Sequence, residues 1–305
     1  MPEITIGKYV AAVVAWMQDN MEWLFAAIAS LMEALINALL VVVTAPHPLV
    51  IVAISGALAF WARGIGLAAF TVLGMLLVQG MQLWPQTMDS LAIVLVASFL
   101  AIIVGVPTGI WAARSKVGSQ LLRPVLDFMQ TLPVFVYLIP AVFFFGIGVV
   151  PAVVATFIFA IPPAVRLTEL GLRQVDGEMV EAAIAFGASP RQMLRQVQLP
   201  LAIPSIMAGL NQVIMMSLSM VVIAGMVGAG GLGAVVVTGI SRLDIGVGFE
   251  GGLAVVFLAI FLDRLTAAFP RTRRARKPSA KKNSAHAKKL EQADKTGALS
   301  TATAS

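Results

Sequence analysis

The apolar runs in this chain are too long and too numerous for a soluble core. Seven stretches, at about 48–62, 66–83, 91–111, 130–147, 149–165, 203–227 and 248–268, consist almost wholly of aliphatic, aromatic and small side chains. A membrane-crossing helix needs about 20 such residues, because in hydrocarbon every backbone N–H and C=O has to be satisfied within the helix itself. Only 12% of the residues are charged, against about 25% in a typical soluble domain. The expectation is an all-α polytopic membrane protein with about seven transmembrane helices. An eighth stretch, 24–43, carries Glu33 and Asn37; with the preceding 9–23 it is expected to lie in the interface as an amphipathic segment.

Basic residues in short loops stay on the cytoplasmic side and so set the orientation. With the C-terminus inside, Arg63, the loop of Arg114, Lys116 and Arg123, the loop of Arg166, Arg173, Arg191 and Arg195, and the Arg264 end are all cytoplasmic. Only Lys8 and Arg242 then lie outside. Trp61, Trp84 and Trp111 fall at span ends, where an interfacial aromatic belt places them. Beyond Arg271 the chain is rich in Lys, Arg, Ala and Ser and nearly lacks large apolar side chains, so a disordered basic cytoplasmic tail is expected. Its cluster Arg271 to Lys277 suits anionic lipid headgroups, although a solvated stop-transfer anchor explains it as well.

Several chemistries are excluded by what the chain lacks. With no Cys and only His47 and His286, it offers no thiol nucleophile and no His-based metal site. No GxxxxGK[ST] phosphate loop occurs, so the usual device for nucleotide hydrolysis is missing. Gly228 to Gly233 spells GxGxxG, but it follows a membrane span rather than a strand, and a flexible glycine turn at the outer surface is expected. Gly105 and Gly109 read as a small-residue helix contact. The spans hold almost no ionisable groups, whereas ion-coupled carriers place such groups within the membrane. The energy source is therefore expected on another chain.

Residues 176–200 form a hydrophilic island with the local chemistry of a helix-turn-helix. Asp176 is a natural N-cap for a helix over about 177–186, and Gly187 suits a left-handed C-terminal position. Ser189, Pro190 and Gln192 supply N-cap, first-turn proline and capping-box glutamine for a second helix, which Pro200 is expected to end. On the first helix Val180, Ala183, Ile184 and Gly187 follow i, i+3, i+4 and i+7, a narrow face that a groove on another protein can approach closely. Further along, Asn211, Met215 and Ser219 share a stripe beside Gln212. That stripe suits either a translocation path or interhelical hydrogen bonds. Tyr137, with Phe135 and the Phe143 to Phe145 cluster, could pass a quaternary ammonium by cation-π contact or could simply pack.

Glu181-Ala182-Ala183, Gly187, and Val197 with Leu199-Pro200 resemble the EAA motif of bacterial ABC importer permeases. Residues 85–268 are further similar to glycine betaine/proline betaine permeases in the stretches 109–114, 127–133, 186–194 and 262–266. The resemblance implies a type I ABC importer permease fold. In that scheme 85–268 is a core of five spans with the coupling loop at 176–200. Two accessory spans in 48–84 and an interfacial region 1–47 precede it, and the tail 269–305 follows. It also implies the bacterial inner membrane and three kinds of partner: a cytoplasmic ATPase carrying ATP and Mg, an extracytoplasmic solute-binding protein, and a second permease copy. No cofactor or metal in this chain, no nucleic-acid partner and no catalytic residue are expected. The implied ATPase contact is Val180, Glu181, Ala182, Ala183, Ile184 and Gly187, with Arg191 and Arg195 as charge partners and Leu199 and Pro200 closing the motif. The implied solute is of the glycine betaine or proline betaine type, with choline, carnitine, proline and taurine open. A self-sufficient secondary carrier or channel is the alternative class.

Overall fold

A computed structural model describes residues 6–268, and every element among them is helical. In chain order these are α1 (Ile6–Thr44), α2 (Pro48–Arg63), α3 (Ile65–Gly80), α4 (Trp84–Arg114), α5 (Lys116–Thr131), α6 (Val134–Phe145), α7 (Val149–Arg173), α8 (Gly177–Ala185), α9 (Pro190–Gln192), a π-helical segment (Met193–Gln198), α10 (Leu199–Met226), α11 (Gly231–Ser241) and α12 (Ile245–Thr266). The expectations for the tail, including Arg271 to Lys277, lie outside the described residues.

The centre of the bundle is α7, which packs against α4 on one side and α10 on the other. Glycines permit that closeness. A Cβ on Gly105 would sit 2.5 Å from Ala164 Cβ, and one on Gly109 would sit 2.6 Å from the Val165 carbonyl oxygen, so α4 and α7 cross almost backbone to backbone. Between α4 and α10, the buried Ser98 hydroxyl donates to Ser217 at 3.1 Å, satisfying two polar groups where no water is at hand.

Five helices are long and apolar enough to cross a membrane: those at Gly7–Thr44, Trp84–Arg114, Val149–Arg173, Pro190–Met226 and Ile245–Thr266. The expected span at 130–147 is broken. Pro133 holds Leu132 extended (φ −67°, ψ 133°), so α5 and α6 meet at 97°, and they make a sixth span only if the bent pair crosses as one. The expected spans 48–62 and 66–83 are helices of 16 residues each, only about 24 Å long at 1.5 Å per residue. Conversely, the segment 24–43, expected in the interface, lies in α1 beyond a kink at Met21 (φ −122°, ψ 20°), and α1 has the length and hydropathy of a spanning helix. Its Met32 and Ile36 are buried against Ile93, Val96 and Val150.

The glycine run 228–233 forms the turn from α10 into α11 and continues into the packed start of α11. Gly228, Gly230 and Gly231 take left-handed φ values of 78°, 74° and 65°, which fold the chain back from α10 into α11. Leu232 is fully buried and donates its N–H to Ser90 Oγ at 2.8 Å. A Cβ on Gly233 would overlap the Val221 carbonyl. The glycines serve close packing of α11 on α10 and α4.

Candidate functional site

The island folds as its capping residues dictate. Asp176 Oδ1 accepts from the Glu178 N–H at 3.0 Å, starting α8. At the other end Gly187 has φ 77°; its N–H donates to the Ile184 carbonyl at 2.8 Å, and the Ala188 N–H to the Ala183 carbonyl at 3.0 Å. That paired pattern is a Schellman motif, which a glycine in the left-handed region completes without strain. Ser189 and Gln192 form the expected reciprocal box: Ser189 Oγ accepts from the Gln192 N–H, and Gln192 Oε1 from the Ser189 N–H.

Pro200 does not end the second helix. It lies in the first turn of α10, directly after the π-helical segment. A proline lacks the N–H that an α-turn would use, and the chain widens to i to i−5 pairing ahead of it, with the Leu199 N–H bonded to the Leu194 carbonyl. The helical path is therefore continuous from Pro190 to Met226.

The face read from the spacing divides in two. Val180 and Ala183 are half-buried on the side where α8 packs against the π-helical segment, while Glu181, Ala182, Ile184 and Gly187 are exposed. Two further apolar side chains join the exposed side: Met179, and Phe186 at 92% exposure. Their i, i+7 spacing is the sequence signal for this apolar side, set beside the small-residue face of Val180, Ala183 and Gly187. Arg191 and Arg195 are exposed and form no ion pair among the described residues; Leu199 is half-buried. Behind α8 a cleft of about 330 Å³ is lined by Arg114, Arg173, Val180, Glu181 and Gln198.

Beneath the island runs a charge network of which the sequence signals only one pair, Glu169 and Arg173 at i, i+4. Glu169 on α7 is buried, accepts from Ser119 Oγ on α5 at 2.7 Å, and pairs with Arg173 Nε at 2.9 Å. Arg173 also donates to the Ala112 carbonyl at the end of α4 at 3.0 Å. Arg166 pairs with Asp127, tying α7 to α5 a second time.

The path candidates separate as well. Asn211 faces α12: its Nδ2 donates to Asp263 Oδ1 at 3.0 Å, and its Oδ1 accepts from Thr266 Oγ1 at 2.8 Å. Tyr137 is buried, donates to the Met129 carbonyl, and meets Phe159 edge-on at 5.9 Å between ring centroids. Phe144 stacks on Phe25 at 4.2 Å, and Phe145 packs edge-on to the same ring. By contrast Gln212, Met215 and Ser219 are exposed on one face of α10, with Met226 beyond them. That face is soft and uncharged, with one amide, one hydroxyl and two thioethers.

Residues 105–275 match the family described as binding-protein-dependent transport system inner membrane component. The chain is 45% identical over 276 residues to the glycine betaine/proline betaine transport system permease protein ProW of Escherichia coli (strain K12), covering 90% of this chain and 77% of that protein. It is 45% identical over 266 residues to the glycine betaine transport system permease protein OpuAB of Bacillus subtilis (strain 168), covering 87% and 94%. Among solved structures, an inward-facing conformation of the MetNI methionine ABC transporter superposes with a TM-score of 0.57 at 22% identity, covering 60% of this chain and 92% of that one. At that identity the likeness speaks for the fold alone.

Proposed function

Because this chain belongs to the family of binding-protein-dependent transport system inner membrane components, we propose that it is the permease subunit of an ATP-driven importer for glycine betaine or proline betaine type solutes. The observation that carries the mechanism is the unbroken helical path from Pro190 to Met226. It begins just past the Gly187 turn that carries the exposed apolar knob of Met179, Ile184 and Phe186, and it ends beyond the exposed Gln212, Met215 and Ser219 face. A separate cytoplasmic ATPase seats the knob in a groove; closure of the ATPase dimer on ATP and Mg displaces α8, and the continuous helix moves the path face of α10. Glu181 and Ala182 flank the apolar contact, and Arg191 and Arg195 offer unpaired cations to the same partner.

The rest of the reading follows the charge distribution. Arg114, Lys116, Arg123, Arg166, Arg173, Arg191 and Arg195 belong on the cytoplasmic side with the island, and the C-terminus lies there too. The path forms between two copies of this chain. There the Gln212 amide can donate to a solute carboxylate, while the polarisable Met215 and Met226 thioethers receive a quaternary ammonium without a counter-charge in the membrane. Selection of the solute rests with the separate binding protein. Reconstitution in proteoliposomes tests the assignment: radiolabelled glycine betaine uptake should require this chain, an ATPase, ATP and a solute-loaded binding protein together. Uptake by this chain alone would establish the secondary carrier instead.

A further inference from the structure

Helix α1 is loosely seated on the bundle: of its described side chains only Met32 and Ile36 are buried. Two spaces of different chemistry separate it from α6. The first, about 540 Å³, lies against the kink at Met21 and is lined by Gln18, Asp19, Glu22 and Phe25 of α1 and by Phe144 and Phe145 of α6. The second, about 580 Å³, is lined by Ala11, Val14 and Ala15 of α1 and by Val136, Ile139 and Phe143 of α6. They adjoin. Gln18 lines both, and its side-chain amide donates to the Phe143 carbonyl at their junction.

Phe145 ends α6 just before α7 begins at Val149, and α7 runs about 36 Å from there to Arg173 beside the island. The first space therefore lies at the bilayer surface opposite the island, where carboxylates keep their hydration. From Phe143 to Val136, α6 runs about 10 Å back toward its junction with α5. Ser119 and Asp127 of α5 are bound to Glu169 and Arg166 on the island half of α7, so the second space reaches into hydrocarbon. Asp19 and Glu22 are exposed and form no ion pair among the described residues. Beside them Phe25 stacks on Phe144 at 4.2 Å and meets Phe145 edge-on at 5.8 Å. Two free carboxylates next to aromatic rings suit an ammonium group, which both attract, and repel an anionic headgroup. The second space suits the opposite chemistry. No charged side chain lines it, and a water there would find only the Gln18 amide, already bonded to Phe143. No residue of α10 lines either space, so neither belongs to the Gln212 face.

We propose that this crevice holds one phospholipid with an ammonium headgroup, of the phosphatidylethanolamine type, from the leaflet opposite the island. Its ammonium lies between Asp19 and Glu22 beside the rings, its phosphate faces water, and one acyl chain enters the cleft between α1 and α6. Charge complementarity at one end and an adjoining apolar cleft at the other select a lipid over a soluble cation, which would leave the cleft empty. The bound lipid fills the space that leaves α1 loosely seated. The site goes beyond the permease reading and does not depend on which solute is carried.

The test uses the full-length protein purified in detergent, stripped of lipid and titrated with phosphatidylethanolamine or phosphatidylglycerol, with native mass spectrometry counting the lipid bound. Phosphatidylethanolamine should bind at about tenfold lower concentration than phosphatidylglycerol. Asp19→Asn combined with Glu22→Gln should abolish that preference, and because both side chains are exposed the lipid-free melting temperature should not change. Ala15→Phe, which fills the cleft, should weaken both lipids severalfold. Equal affinity of the unsubstituted protein for the two lipids, or a preference that survives the double substitution, would overturn the proposal. So would displacement of the bound lipid by soluble choline or ethanolamine, which would make the first space a site for a free cation. None of these outcomes touches the importer reading, which rests on uptake.

Discussion

Arg173 Nε lies 2.9 Å from the carboxylate of Glu169, one helical turn earlier on α7, and this pair joins three helices. Glu169 is buried and also receives Ser119 from α5, while Arg173 reaches the Ala112 carbonyl at the end of α4. Just past Arg173 the chain leaves α7 for the island. The pair therefore fixes the platform against which α8 is presented.

Removing the carboxylate should destabilise that platform. Glu169→Ala leaves Ser119 without its acceptor and Arg173 without its charge partner; since Arg173 is itself partly exposed, the expected cost is about 1–3 kcal/mol. Glu169→Gln keeps an acceptor for Ser119 and should cost less. Thermal unfolding of the purified protein in detergent checks the ranking. Equal midpoints for the unsubstituted protein and the Ala variant would show that the network is dispensable.

Phe186 is 92% exposed, so Phe186→Asp should change stability by less than about 0.5 kcal/mol. Its effect is expected on the partner instead. The ATPase should fail to co-purify, because a carboxylate in an apolar groove is costly to desolvate. Met179→Asp should act the same way, whereas Val180→Ala, at a half-buried position, should affect folding more than assembly. Pull-down of the ATPase, combined with melting curves, separates these outcomes.

Gly187 carries a different burden, since its φ of 77° completes the Schellman turn. There is open space around it, so a side chain meets no clash and only the backbone term remains. Gly187→Val should cost about 1–3 kcal/mol locally, and Gly187→Asn much less, because Asn visits the left-handed region. The readout is the ratio of solute transported to ATP hydrolysed, which should fall for Val and largely recover for Asn.

What was legible in the sequence was local. Asp176, Gly187, Ser189 and Gln192 announce their roles because a cap is decided within four residues. Pro200 misled because the rule that proline ends helices assumes α-geometry, and six residues of π-helix evade it. Leu132-Pro133 broke an apolar run that hydropathy alone reads as one span. Ser119 and Glu169 stand 50 residues apart, and no periodicity links them. The accessory helices α2 and α3 are visible as apolar segments, but the apolar run continues to Leu83 while α3 stops at Gly80.

The sharpest division lies between neighbours on α10. Asn211 and Gln212 are about 100° apart on a helix, so the polar stripe in the sequence fits either one. In the structure Asn211 binds Asp263 and Thr266, while Gln212 is exposed beside Met215 and Ser219. Asn211→Ala should therefore lower stability by about 1–3 kcal/mol, as two partly buried partners lose it, and it should leave the solute dependence of uptake little changed once protein amount is corrected. Gln212→Ala should do the reverse, with melting unaffected and the half-saturating solute concentration or maximal uptake rate altered severalfold. Parallel melting and uptake measurements on both variants decide it: a solute-dependence change with Asn211→Ala and none with Gln212→Ala would move the path from the exposed face of α10 to its α12 side.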